Sequence, residues 1–171
     1  MSRTRVVDEK DGEGNTALMR AALDGQSETV KALLRNGSDV NARNREGRAA
    51  LVFAVVNYHL STVQALLDFG ADVNSQANCG CTPLLLAAGN GDIEITRALL
   101  ARGADPETIC NPGRTALVVA TERGYSGIVE LLKRALFQKT LVDEKSVRSN
   151  LQSTIGVGVL AATNEGSVQV G

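Results

Sequence analysis

Short apolar stripes, two to each block of 33 residues, run along most of this chain. Within a stripe the apolar residues stand three or four positions apart or adjacent, as Val30, Leu33 and Leu34 do, and polar residues fill the other positions. That spacing places side chains on one face of an α-helix. Because a stripe this short cannot bury itself, the pattern predicts pairs of short helices that pack on neighbouring pairs.

The blocks keep a constant step of 33 residues. The step relates glycines and leucines at three positions of the block: Gly14, Gly47, Gly80 and Gly113; Leu18, Leu51, Leu84 and Leu117; Leu33, Leu66, Leu99 and Leu132. A fixed period of this length indicates a repeat protein, in which each repeat is one supersecondary unit.

Four motifs stand in the sequence, and the other blocks hold close variants of them: a G-x-T-P-L start, an A-A-x-x-G turn, an L-L helix end and a G-A-D-V-N exit. In these motifs the chain resembles the ankyrin-repeat family over about 125 of its 171 residues. The resemblance implies an all-α fold, an ankyrin-repeat solenoid of stacked helix-turn-helix units with β-hairpin fingers. It says less about function, because the same repeat serves many partners.

The period divides the chain into a polar N-terminal tail, four repeats and a C-terminal remainder: residues 1–10, 11–43, 44–76, 77–109, 110–138 and 139–171. The last helix of repeat 4 is predicted to overrun, over residues 128–138. Residues 139–153 are polar and aperiodic, which predicts a loop or a loosely helical insertion. Residues 158–170 align with repeat 4 at a spacing of 42, so they are either a degenerate fifth repeat or a flexible tail.

Repeat 2 departs from the pattern at two positions. Thr16, Thr82 and Thr115 stand where a hydroxyl can cap the first helix of their repeats, but Ala49 takes this position in repeat 2. Its first helix is therefore predicted to be poorly capped. Tyr58 stands where the other repeats have a turn glycine, which makes repeat 2 the expected site of local irregularity.

Composition and charge restrict the classes of function. The chain has 43% apolar and 22% charged residues, which is ordinary for a globular protein. A net charge of −1 gives no general attraction to nucleic acid or anionic lipid. No apolar run is long enough for a signal peptide or a membrane span. We expect a soluble, monomeric protein of the cytoplasm, with the nucleus as the second compartment, that binds neither nucleic acid nor membranes directly.

The sequence offers no arrangement of residues that would support catalysis. It has no nucleophile beside a base, no phosphate-binding loop and no metal cluster, so we expect no enzyme activity, cofactor or metal. His59 is assigned a structural or surface role. Cys79, Cys81 and Cys110 are too few ligands for a structural zinc site, and their odd number favours free thiols. Cys79 and Cys81 are interpreted as exposed thiols, with a redox-sensitive contact as the alternative.

In the ankyrin-repeat family the binding surface is the concave face, made of the finger tips and the exposed side of the first helices. The resemblance assigns this role to eighteen residues in all four repeats: Glu13, Asn15, Leu23, Asp24, Arg43, Arg45, Glu46, Arg48, Val56, Asn57, Asn78, Cys79, Cys81, Asn90, Asn111, Arg114, Glu122 and Arg123. Arginines on successive fingers, at Arg45, Arg48 and Arg114, suit an acidic protein or peptide partner. Lys31 and Arg97 are expected on the convex side.

The resemblance also concerns Asn41 and Asn74. In the family, asparagines at these positions hold the hairpin through side-chain bonds to the backbone. Similar asparagines can be hydroxylated by a cytosolic oxygenase, so Asn41 and Asn74 are candidate modification sites.

Three functions fit these observations. The first is an adaptor or scaffold that docks a protein or a linear peptide. The second is a stoichiometric inhibitor that resembles the ankyrin-type inhibitors of cyclin-dependent kinases, whose distorted second repeat invites comparison with Ala49 and Tyr58. The third is the ankyrin segment of a larger enzyme or channel.

Overall fold

The computed structural model describes residues 8–110 and 113–161, and the surroundings of side chains as far as residue 151. These residues form eight helices: α1 (Ala17–Leu23), α2 (Ser27–Arg35), α3 (Ala50–Val56), α4 (Leu60–Asp68), α5 (Pro83–Asn90), α6 (Ile93–Ala101), α7 (Ala116–Glu122) and α8 (Ser126–Ala161). Odd-numbered helices are the first helices of the repeats, and even-numbered helices are the second.

The helices pack in two rows. The first helices of repeats 1, 2 and 3 pack on their own second helices, in the pairs α1 and α2, α3 and α4, and α5 and α6. First helices also contact one another in the order α1, α3, α5, α7, and second helices in the order α2, α4, α6. The prediction of stacked helix-turn-helix units is therefore confirmed. The predicted β-hairpin fingers are not shown, since the described loops contain one isolated bridge, between Cys110 and Arg114, and no strand.

The periodic leucines form the core between the rows. Leu18, Leu51 and Leu84 are fully buried in the first helices. Leu66, Leu99 and Leu132 are fully buried in the second helices, and their side chains belong to the same apolar cluster. Small alanines on the first helices complete this cluster and allow neighbouring helices to approach closely. The interior thus needs no large aromatic side chain.

Threonine hydroxyls cap three of the four first helices. Thr16, Thr82 and Thr115 accept hydrogen bonds from the third helical N–H at 3.3, 3.2 and 3.3 Å. Ala49 makes no such bond, as predicted, yet its backbone adopts the same extended conformation as that of Thr16. Helix α3 nevertheless has seven residues, as α1 does, because its packing on α1 and α5 holds it in place.

Tyr58 adopts the left-handed backbone conformation that glycine adopts in the other repeats. Its φ is 61°, close to the 69° of Gly25 and the 77° of Gly91. Helix α4 has nine residues, the same length as α2 and α6. The irregularity predicted for repeat 2 is therefore limited to a missing cap and a tyrosine in a glycine conformation.

Helix α8 corrects the prediction for the C-terminal remainder. It runs from Ser126 to Ala161, so it does not end near residue 138. Of the two alternatives predicted for residues 139–153, the loop is wrong, and the segment is helical. Residues 128–155 contain no glycine or proline, and helix-forming residues such as Lys, Glu, Leu and Arg fill much of this stretch. The choice between a fifth repeat and a tail concerns residues 158–170, of which 162–170 lie outside the described residues. One compact unit of the chain ends at Lys133 and a second begins at Arg134.

Candidate functional site

The loops that precede the first helices are shaped by polar side chains near their start. We call residues 11–15, 44–48 and 77–81 the finger loops of repeats 1, 2 and 3. In repeat 1, Asp11 Oδ1 accepts hydrogen bonds from the N–H groups of Glu13 and Asn15, at 2.9 and 2.8 Å. In repeat 2, Asn44 Oδ1 accepts the equivalent bonds from Glu46 and Arg48 at 3.0 and 2.9 Å. These bonds fix the backbone conformation of the finger loops, and with it the positions from which the finger side chains project.

Neighbouring finger loops are also tied to each other. The N–H of Arg45 donates to the carbonyl of Glu13 at 3.2 Å, and the N–H of Asn78 donates to the carbonyl of Glu46 at 2.9 Å. The Asn78 side chain adds a bond to the carbonyl of Arg45 at 3.0 Å. Gly47 permits this approach, because a Cβ at this position would lie 2.4 Å from Asn78 Oδ1. The three fingers therefore form one continuous row.

A second set of contacts connects the loops that leave the second helices. Asn41 Oδ1 accepts the N–H of Asp72 at 2.8 Å, and Asn74 Oδ1 accepts the N–H of Asp105 at 2.8 Å. Each of these asparagines therefore bonds to backbone, as the resemblance implied, but to the backbone of the following repeat. Asp8 accepts the N–H of Asp39 at 3.3 Å in the equivalent way. Part of the segment predicted to be a polar tail thus contacts repeat 1.

A pocket of about 370 Å³ lies between the fingers of repeats 1 and 2. Its lining includes five residues that the sequence predicted for the binding surface: Glu13, Asn15, Arg45, Glu46 and Arg48. Asn44 and Phe53 complete the lining, and neither was predicted. Phe53 lies on α3 and is half-buried, so it provides an apolar floor beneath a polar rim. We call this the repeat 1–2 pocket.

A smaller pocket of about 250 Å³ lies between repeats 3 and 4. It brings together four of the predicted residues: Cys81, Asn90, Arg114 and Arg123. The structure adds an apolar part that was not predicted, from Leu85, Leu86, Gly89, Cys110 and Val119. Leu86 and Val119 occupy the same position of the repeat as Phe53, at steps of 33 residues. We call this the repeat 3–4 pocket.

The remaining predicted residues lie outside these two pockets. Leu23 and Val56 are exposed at the ends of α1 and α3, beside Asp24 and Asn57. Arg43 donates a hydrogen bond to the carbonyl of Gln76 at 2.8 Å, so it holds two repeats together and does not line either pocket. Asn78 is part of the finger row, and Cys79 is exposed. Asn111 lies outside the described residues.

A family model described as ankyrin repeats (3 copies) matches residues 3–77 and 51–143. The chain belongs to the ankyrin-repeat family. No curated protein matches the chain. Ankyrin repeats are generally protein–protein interaction modules, and proteins of the family are typically non-catalytic. None of the helices in the described part of the chain is long and apolar enough to span a bilayer.

Ion pairs change the electrostatic character that was expected for this ankyrin surface. Arg48 pairs with Glu46 at 2.9 Å, and Arg114 pairs with Glu122 at 2.9 Å. Arg45 is exposed and has no ion pair with any residue that the structure describes. The basic character predicted for Arg45, Arg48 and Arg114 is therefore concentrated at Arg45.

His59 has a structural role in this ankyrin protein, in agreement with the prediction. Its Nε2 lies 3.0 Å from the carbonyl oxygen of Leu23, at the end of the preceding first helix. Its ring also packs so closely on the turn of repeat 1 that a Cβ at Gly25 would lie 2.5 Å from it. This contact explains why glycine is needed at Gly25 for packing as well as for backbone conformation.

The three cysteines have different surroundings. Cys79 is exposed, Cys81 is half-buried and Cys110 is buried. The pKa of Cys79 is lowered, chiefly because the Cys81 thiol donates a hydrogen bond to it. Burial, followed by this hydrogen bond, raises the pKa of Cys81 to about 12. In the described part of the chain, no group of three or more His, Cys, Asp or Glu side chains could hold a metal ion.

Proposed function

We propose that this ankyrin-repeat protein is an adaptor that docks another protein, or a linear peptide, on the surface formed by the fingers and the first helices. The observation that carries the proposal is the pair of pockets in register with the repeat. Each has an apolar floor at the same repeat position, Phe53 in one and Leu86 with Val119 in the other, beneath a polar rim. We further propose that it acts as a monomer in the cytoplasm or nucleus.

The spacing of the pockets suggests the form of the bound segment. Packed helices lie about 8–10 Å apart, so the two pockets, which are two repeats apart, are separated by about 20 Å. An extended chain advances about 3.3 Å per residue, and would cross this distance in about six residues. We therefore propose a bound segment with two apolar anchor residues separated by about five others.

Charge favours an acidic residue beside the first anchor. Arg45 is exposed on the rim of the repeat 1–2 pocket and has no ion pair within the described residues. An acidic group of the partner could approach it without displacing an internal carboxylate. At Arg48 and Arg114 the same group would compete with Glu46 and Glu122. Among these three arginines of the fingers, the proposed contribution to acidic specificity is thus largest at Arg45.

A peptide-library selection against the full chain tests this proposal. Selected peptides should contain two apolar positions about six residues apart with an acidic residue next to one of them. Arg45→Glu should weaken their binding several-fold, mainly through slower association that depends on salt. The matched controls are Lys31→Glu and Arg97→Glu, whose side chains form ion pairs within α2 and α6. Binding lost in the controls and kept in Arg45→Glu would contradict the assignment of the surface.

The comparison with kinase inhibitors receives little support. It depended on a distorted second repeat, whereas α3 and α4 have the lengths of their counterparts in repeat 1. We propose the adaptor role ahead of it for this reason. The third alternative is that this chain is the ankyrin segment of a larger enzyme or channel. Such a segment would bind its partner on the same surface, so the proposed docking mode would be the same.

Hydroxylation of Asn41 and Asn74 stays a separate proposal. Both residues are exposed, but both ends of each side-chain amide bond to the backbone of the following repeat. An oxygenase would have to break these bonds to reach the side chain. Mass spectrometry of the protein purified from cells would detect the added oxygen.

A further inference from the structure

Three cysteines gather where the finger of repeat 3 adjoins repeat 4. Cys81 packs against a small buried cluster that contains Cys110, Leu85 and Val119, and Cys79 lies outside it in solvent. The stacking of the repeats does not require thiols at the two finger positions. The same positions hold other residues in repeats 1 and 2: Glu13 and Asn15, and Glu46 and Arg48.

The backbone of the finger holds Cys79 and Cys81 side by side. Gly80 lies between them with a φ of 78°, and its N–H donates to the carbonyl of Ala77 at 2.8 Å. The N–H of Ala77 donates to the carbonyl of Cys81 at 3.1 Å, which closes the turn. Since consecutive Cα atoms are about 3.8 Å apart, a bent three-residue segment keeps the outer two Cα atoms within the ~7 Å that a disulfide can bridge.

The two thiols differ in exposure and in proton affinity. Cys79 is exposed and its thiolate is favoured by the hydrogen bond from Cys81, with a smaller contribution from the charge of Arg48 that lowers its pKa in the same direction. Cys81 is half-buried and keeps its proton. An accessible thiolate beside a protonated thiol is the arrangement found in redox-active cysteine pairs.

We propose that Cys79 and Cys81 form a peroxide-reactive dithiol, which closes to a disulfide within the finger of repeat 3. The Cys79 thiolate attacks one oxygen of hydrogen peroxide, so an S–O bond forms while the O–O bond breaks, and the leaving hydroxide takes a proton to become water. The sulfur of Cys81 then attacks the sulfur of the Cys79 sulfenic acid. The S–S bond forms, the S–O bond breaks, and the proton of Cys81 leaves with the hydroxyl group as a second water.

The electron count balances with peroxide as the oxidant. The two thiols lose two electrons and two protons, and the peroxide gains them to give two water molecules. A cellular thiol reductant would restore the two thiols by thiol–disulfide exchange, and would itself be oxidised to a disulfide. Cys81 also lines the repeat 3–4 pocket, so the disulfide would change the lining of that pocket. This last consequence rests on the proposed function, whereas formation of the disulfide does not.

Tryptic mapping of the full chain separates the possible disulfides. Cys79 and Cys81 lie in one tryptic peptide, residues 49–97, and Cys110 lies in another, residues 103–114. After limiting peroxide and blocking of free thiols, the 49–97 peptide should carry an internal disulfide that dithiothreitol removes. Its thiols should disappear about tenfold faster than that of Cys110, because exposure and thiolate character set the rate. A cross-link between the two peptides, or equal rates, would overturn the proposal.

Single substitutions test the order of the two steps. In Cys81→Ser, Cys79 should stop at the sulfenic acid, which dimedone traps, and no internal disulfide should form. In Cys79→Ser, Cys81 should react no faster than Cys110. The matched control Cys110→Ala should still form the internal disulfide. If Cys79→Ser reacts as the unmodified chain does, Cys79 is not the attacking thiol and the proposal fails; circular dichroism confirms that each variant is folded.

Discussion

Two buried threonines in this ankyrin-repeat protein stand at neighbouring positions of the repeat and differ in their hydrogen bonds. Thr62 in α4 and Thr96 in α6 are both fully buried. Thr96 Oγ1 donates to the carbonyl of Asp92 at 2.6 Å, whereas Thr62 Oγ1 has no partner among the described residues. Repeat 3 has Ile95 at the position equivalent to Thr62, which shows that the site accepts a purely apolar side chain.

Thr62→Val should therefore stabilise the protein. It removes a buried hydroxyl without a partner, a group that costs about 1–3 kcal/mol, and keeps the branched shape. Thr96→Val is the matched control and should be neutral or destabilising, because it removes a hydroxyl that is bonded. Urea unfolding of both variants measures the difference. Equal midpoints for Thr62→Val and Thr96→Val would show that the unpaired hydroxyl carries no cost.

At the scale of the helices, the sequence predicted caps and turns well and ion pairs poorly. The 33-residue step located the threonine caps, the missing cap at Ala49 and the glycine turns, because each depends on one residue at a fixed position. The ion pair between Arg114 and Glu122 joins a loop residue to a helix residue eight positions later. No sequence pattern predicts an ion pair at that separation. Phe53 was missed because an apolar residue on a helix is most often part of the core.

The extent of α8 was the other failure at this scale. A loss of apolar periodicity was interpreted as a loop or a loosely helical insertion at residues 139–153, but periodicity reports only which face of a helix is buried. A helix whose residues are exposed, as residues 140–151 are, gives no such signal. The absence of glycine and proline over residues 128–155 was the better guide.

Restoring the missing cap of α3 should stabilise repeat 2. In Ala49→Thr the hydroxyl can accept the N–H of Val52, as Thr16 does with Met19, because the two backbones have the same conformation. Thr16 and Thr82 are buried at the equivalent position of their own repeats, as Ala49 is, so the position accepts a threonine elsewhere in this fold. We expect a gain of about 1 kcal/mol in unfolding free energy. A thermal melt checks it, and a lower melting temperature would mean that the cap position of repeat 2 is not equivalent to the others.

At the scale of the whole molecule, stability should depend on the contacts between repeats. Leu99 is fully buried in the shared core, and Leu99→Ala should cost about 2–5 kcal/mol. The control Val118→Ala changes an exposed residue of α7 and should cost far less. Urea unfolding in which Leu99→Ala matches the unmodified chain would be incompatible with stacked repeats that share one core.

The fold was predictable because each structural feature of one repeat is marked by the same residue type in the other repeats. The same glycine, leucine and threonine positions recur in successive blocks, and each recurrence supports the others. The binding surface was predictable only as a set of positions, since pockets form where side chains from two repeats meet. Their apolar floors, their ion pairs and the thiol pair at the finger of repeat 3 depend on contacts across the repeats, which the step of 33 residues does not encode.

Hydrogen–deuterium exchange of the full chain with a selected peptide tests the central claim, that the partner docks on the fingers and first helices. The account predicts slower exchange of backbone amides in the finger of repeat 2, residues 44–48, and in α5 and α7 on peptide addition. It predicts little change in α2, α4 and α6. Protection confined to the second helices, with the fingers unchanged, would contradict it.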